Sequence, residues 1–345
     1  MRETPPAKKS LIDRLFLACI LLFCVQLALL PFLVPSSHRN TVLAILLPIA
    51  MVGLSLGLVW ILLGGGGSFR VVGAFLKRGA VVFISYKFQL IFIFLNIGVM
   101  IFVFYTVGKP FVQVMMGGMA SGLQNYGGEG YDFLSFFLVG MIAWPMLLSG
   151  YSIASSRIRQ EQFTGMFEIM IPSRYGVKVL PFSYLILGIV GSVINAVITM
   201  SVFVFLIGVD FQFSSAESVV GLVSVLLISM LTMWGLGLIF GGLTLIFKQI
   251  GPFGSVLQTL MLWFCGVYVP VGILPAWAKP VSYALPLTYS FKAIRAGLIS
   301  GEGILSYWQD AVVLFAYCIG MIIVGYAVFT MCLNKARKLG TVHGY

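Results

Sequence analysis

Eight apolar runs, each close to 20 residues or longer and nearly free of charge, decide what this chain can fold into. They lie at 15–34, 41–63, 88–107, 133–153, 179–207, 218–246, 253–272 and 309–332. A helix of about 20 residues matches the hydrocarbon thickness of a bilayer. It also satisfies its own backbone hydrogen bonds, which lipid cannot do for it. The chain is 60% hydrophobic and only 9% charged, against about 25% charged for a soluble domain. The expectation is an all-α integral membrane protein with eight spans. No block of sequence has the composition of a soluble catalytic domain.

The 21 Lys and Arg residues give the orientation. With the N-terminus in the cytosol and the sides alternating, sixteen of them fall on cytosolic segments. Five fall outside: Arg39, Lys109, Lys279, Lys292 and Arg295. That bias follows the positive-inside rule and places both termini in the cytosol. It also accounts for the net charge of +11 without nucleic acid as a partner. The run 15–34 is longer than a signal-peptide core and lacks a small-x-small cleavage pattern. A second run follows at once, so the two read as a transmembrane hairpin whose loop holds Pro35, Ser36, Ser37, His38 and Arg39.

Several kinds of chemistry are excluded. The run Gly64–Phe69, GGGGSF, lacks the Gly-Lys-Ser/Thr ending of a phosphate-binding loop, and that ending occurs nowhere in the chain. It reads as a flexible joint. Cys19, Cys24, Cys265, Cys318 and Cys332 sit in or beside apolar runs without ligand-like spacing. His38 and His343 have no candidate nucleophile nearby. No metal site or catalytic residue is expected. No ionisable residue lies near the middle of a proposed span, which counts against an ion-coupled transporter. The polar residues there, Gln26, Gln89, Asn96, Asn195 and Gln258, are expected to serve helix packing. Gly235, Gly237, Gly241 and Gly242 are read in the same way.

Three segments stand apart from the spans. Residues 69–87 put Arg70, Lys77, Arg78 and Lys87 on one side and Phe69, Val72, Phe75 and Leu76 on another, as an interfacial amphipathic helix does. Residues 273–308 hold Pro275, Trp277, Pro280, Pro286 and Gly301 among apolar stretches too short to cross twice. They read as a re-entrant helical pair on the outer face. Arg157–Arg174, RIRQEQFTGMFEIMIPSR, is a charged island between two spans. Its carboxylates, Glu161 and Glu168, are seven residues apart and share a face if the segment is helical.

These segments carry a resemblance. Glu161-Gln-Phe-Thr-Gly165-Met-Phe-Glu168, ending at Pro172, resembles the first cytosolic loop of type-2 ABC transporter permeases. It departs from that pattern at Met166, where Thr is usual, and at Pro172-Ser173, where the order is reversed. The stretch from Gly266 through Pro270, Pro275 and Trp277 resembles the family's fifth core span running into its re-entrant segment. Pro286-Leu-Thr-Tyr289, ending at Arg295, is similar to the element before the last span. The resemblance covers about 70–340 and leaves the N-terminal hairpin as an addition.

It implies a six-helix permease core, a connecting helix at 69–87 and a coupling helix within 154–178. The divisions expected are 1–68 for the tail and hairpin, 69–87 for the connecting helix and 88–345 for the permease. The resemblance implies that Arg157, Arg159, Glu161, Gly165, Glu168, Pro172 and Arg174 meet a separate ATPase subunit, with Arg70, Lys77 and Arg78 bordering it. It implies further that ATP and Mg2+ are bound by that subunit and that no cofactor is bound by this chain. A second permease copy, or a similar permease, and membrane lipid are the other partners. The expected function is ATP-driven export of an apolar or amphiphilic substrate across the cell membrane. The alternatives are an integral-membrane lipid or polysaccharide transferase, and a channel or scaffold that uses no ATP. The outer carboxylates Glu129, Asp132, Asp210, Glu217, Glu302 and Asp310 are scattered over separate loops, which disfavours the transferase.

Overall fold

The computed structural model describes residues 36–62, 133–163, 180–207, 216–247 and 250–339, with isolated positions between 77 and 106. Among the described residues every regular element is helical. The helices are α1 Ser36–Leu62, α2 Phe133–Phe163, α3 Leu180–Ile207, α4 Ala216–Thr244 and α5 Gly251–Phe264. A 3-10 turn at Val271–Ile273 follows, then α6 Ala278–Tyr283, α7 Pro286–Leu298 and α8 Trp308–Leu339. Four of these, α2, α3, α4 and α8, are long and apolar enough to cross a membrane, and α1 adds an apolar stretch at Ile45–Val59. The chain is a multi-pass membrane protein. The expected span 15–34 and most of 88–107 lie outside the described residues.

The centre of the bundle is α4. Its WGLGLIFGG stretch lets two neighbours approach backbone to backbone. A Cβ at Gly237 or Gly241 would come within 2.5 Å of the Tyr151 or Ala154 carbonyl oxygen on α2. One at Gly235 or Gly242 would come within 2.7 or 2.9 Å of the α8 backbone at Met321 or Phe329. Gly237 and Gly241 are one helical turn apart, and Gly235 and Gly242 are two turns apart, so each pair forms its own seam. Gly150 of α2 and Gly325 of α8 make the same contact in return, against Met230 and Gly235. Two helices so close gain dispersion along their whole crossing, which is what holds helices together where lipid is as apolar as leucine.

Many of the Ser and Thr hydroxyls bond the backbone of their own helix. Ser55, Ser152, Ser224, Ser229 and Thr232 each bond the carbonyl four residues back, at 2.6–3.0 Å. A few also reach between helices. The Ser229 hydroxyl oxygen lies 2.8 Å from that of Ser290 on α7, and the Trp234 indole donates to the Pro181 carbonyl of α3 at 3.2 Å. Cys318 of α8 lies 3.7 Å from Ser55 of α1, so the added N-terminal helix packs into the same body.

Three expectations are corrected here. Ser36–Arg39 belong to α1 rather than to a loop. The span expected over 133–153 continues as one unbroken helix to Phe163. The expected span 253–272 is a helix only to Phe264, 14 residues or about 21 Å, and the chain breaks there. Gly266 is the cause of that break, at φ +76°, a conformation glycine adopts without strain.

The glycine seams give the first expected outcome. Gly241→Ala pushes a methyl into the Ala154 carbonyl and lowers stability by about 1–3 kcal/mol. Gly191→Ala on α3 meets nothing within 4 Å and gains roughly 0.5–1 kcal/mol from helix propensity. Thermal unfolding midpoints of the two variants in detergent, moving in opposite directions, check this; equal shifts would remove the seam from the explanation.

Candidate functional site

Two regions carry the residues singled out above, one at each end of α2. α2 has 31 residues and is about 46 Å long. The hydrocarbon core takes about 30 Å of that, or some 20 residues. The remaining turns, from about Ser152 to Phe163, carry the charges. Arg157 is exposed there, and its Nη1 donates to the Gln160 side chain at 2.9 Å. Arg159 is half-buried and lies near Gly251 at the start of α5. Ile158 is buried against Gly241.

Glu161 points inward. It is only 4% exposed, and the Tyr184 hydroxyl of α3 donates a short hydrogen bond to its Oε1. The guanidinium of Arg157 sits over the Tyr184 ring, 5.7 Å from its centre. The sequence reading had Glu161 sharing an outward face with Glu168. In the structure the carboxylate instead joins two helices of its own chain. Gly165, Glu168, Pro172 and Arg174 lie outside the described residues. So do Arg70 and Arg78, while Lys77 is helical and exposed.

The other region is the broken segment after α5. The chain leaves the helix at Cys265, turns at Gly266 and passes Pro270, buried before the 3-10 turn. Pro275 accepts backbone hydrogen bonds from Ala278 and Lys279 at 2.9 and 3.3 Å, which starts α6. Trp277 is 70% exposed, with its ring edge-on to Phe264 at 6.2 Å. Pro286 opens α7, where its missing N–H and fixed φ suit the first turn. The Tyr289 hydroxyl donates to the Tyr283 carbonyl at 2.8 Å, and its ring stacks on Tyr317 of α8 at 6.3 Å. Burial raises the Tyr289 hydroxyl pKa above its usual value, with nearby Tyr317 and Asp310 adding to the rise. Two short helices with a proline at each joint match the expected helical pair, although the break begins at Cys265 rather than 273.

Arg295 differs most from expectation. It was counted among the cations of the outer segments, and it is 2% exposed, among the largest fully buried side chains. Its Nη2 donates to the Val267 carbonyl at 2.9 Å and to the Phe136 carbonyl at 3.5 Å. The guanidinium lies 3.4 Å from the Phe136 ring centre and 5.5 Å from that of Phe291. One cation therefore joins α7, the turn after α5 and the first turn of α2. A cation–π contact in a dry site is worth about 2 kcal/mol. A signal was available in the sequence: Phe291, four residues before Arg295, puts an aromatic ring beside it on one helix face.

Residues 70–299, more than half of the chain, match the ABC-2 type transporter family. No curated protein matches the chain. The family match takes in α2 to α7 and ends before α8, whereas the resemblance read from sequence ran on to about 340.

Arg295→Met leaves the Val267 carbonyl without its donor and lowers stability by about 1.5–3 kcal/mol. Trp277→Ala, at an exposed position, changes it by less than about 0.5 kcal/mol. Unfolding midpoints in detergent check both; an Arg295 variant as stable as wild type would show that the cation joins nothing.

Proposed function

This chain belongs to the ABC-2 type transporter family, as the permease component of an ABC transporter, and from that premise we propose that it exports an apolar or amphiphilic substrate using ATP hydrolysed by another polypeptide. The observation that carries the reading is the run of α2 from lipid into the charged segment after it. Residues 133–163 form one helix, so a push on the charged end acts on a span without an intervening hinge loop. The sequence holds no phosphate-binding motif, which supports a partner that carries the nucleotide and its Mg2+.

The surface that meets the ATPase comprises Arg157, Arg159 and the segment through Gly165, Glu168, Pro172 and Arg174, bordered by Arg70, Lys77 and Arg78. The positive-inside bias supports a cytosolic position for that surface. The broken segment from Pro270 to Arg295 then lies at the outer face, where substrate leaves. A drug-like, lipid or glycolipid-like cargo fits a pathway whose span interiors carry no ionisable groups. Two permeases, identical or similar, enclose the path, and the assembly sits in the cell membrane.

The test is affinity purification of the full chain from its native membrane in mild detergent. An ATPase subunit co-purifies in about equal amount. Glu168→Lys leaves the chain inserted and lowers ATPase recovery about tenfold, the scale expected when a charge meets its like across an interface. Recovery of the wild-type chain without any ATPase, in a preparation that still transports, defeats the proposal.

A further inference from the structure

We propose that Tyr184 is a positioning residue that clamps the charged end of α2 onto α3 through the Glu161 carboxylate, so that a push on the segment after α2 moves two spans as one body. This rests on the permease reading above and deepens it by assigning the path that force takes.

A carboxylate that greets a partner's cations must be reachable, and Glu161 is 4% exposed. Burying an acid is costly unless its charge is met by donors. Tyr184 supplies one such donor from the second turn of α3. Arg157 covers the tyrosine ring on the exposed side. The chain thus uses its buried carboxylate to join two of its own helices.

The clamp stands at one end of a longer zipper. On α2, residues 149, 153, 157 and 161 fall four apart, and so do 184, 188 and 192 on α3, so each set forms a stripe along its helix. The stripes run antiparallel and meet at every step. Glu161 and Arg157 meet Tyr184; Ile153 fills the space where Gly188 has no side chain; and the Ser149 and Ser192 hydroxyls lie 2.5 Å apart. Away from this stripe, Val190, Val193, Ile194 and Val197 are exposed. Among the described residues, α3 reaches α4 mainly through Pro181 and Trp234. Its position therefore depends on α2. The Gly188 and Ser192 contacts hold the middle of the pair, and the Tyr184 clamp holds α3 to the turns that take the push.

Hydrogen exchange of the full chain tests this, alone and in complex with its co-purified ATPase. In the wild-type complex, ATP with vanadate changes exchange in both 154–163 and 180–190. Tyr184→Phe and Glu161→Leu leave ATPase recovery unchanged and keep the response in 154–163. They lower the response in 180–190 about tenfold, the scale of one hydrogen bond to a charged acceptor. Glu161→Gln retains an acceptor oxygen and restores the response, which a role in bulk stability alone does not predict. A Tyr184→Phe complex that responds as wild type overturns the clamp. So does a Glu161→Gln variant that loses the ATPase while Tyr184→Phe changes nothing, because Glu161 is then a docking contact. A wild-type chain that yields no ATPase defeats the permease reading instead. The clamp is still decided by the chain alone: Tyr184→Phe raises exchange in 157–163 and 180–186 together about tenfold if it exists, and an unchanged pattern overturns it.

Discussion

Backbone-to-backbone contact between α4 and its two neighbours is the constraint on which the rest of the structure depends. A bilayer gives helices no hydrophobic reason to associate, so their attraction must come from fit. Glycine supplies the fit on two faces of α4, against α2 through Gly237 and Gly241 and against α8 through Gly235 and Gly242. A side chain at any of these positions holds a neighbour off and removes the short-range attraction along the whole crossing. With α2 and α8 fixed to α4, the remaining helices need only attach to one of the three. α1 does so through Met51, Val59 and Ser55, and α7 through Ser290.

Much of this was legible because lipid imposes a simple code. Apolar runs near 20 residues gave α2, α3, α4 and α8 within a few residues at their starts, and the proline-rich stretch gave two short helices. The glycine cluster was read as packing, and the structure agrees. The misreadings share one physical origin. A charge count assigns each cation to a side of the membrane and treats it as solvated, yet Arg295 spends its charge on carbonyls and aromatic faces inside the protein. In the same way, helical spacing puts Glu161 on a face but cannot say which neighbour that face meets. Tyr184 lies 23 residues further on, and no local pattern links it to Glu161. Hydropathy likewise could not stop α5 at Phe264, because the residues that follow are just as apolar and only the backbone at Gly266 changes.

The two misread residues have α2 in common. Arg295 grips its first turn at Phe136, and Tyr184 grips its last turns at Glu161. Between them Gly150 rests against the α4 backbone at Met230, near the middle of the helix. The glycine seam against α4 runs on from Gly150 through Tyr151 and Ala154 to Ile158, so close packing holds the charged half of the helix as well as its middle. One end holds α3, the other holds the broken segment after α5. The unevenness of these attachments matters as well: Arg295 is dry and multiply bound, whereas the Tyr184 pair is roofed by an exposed arginine that water and a partner can reach. The end that carries the charged segment is thus the one whose polar attachment is open to water.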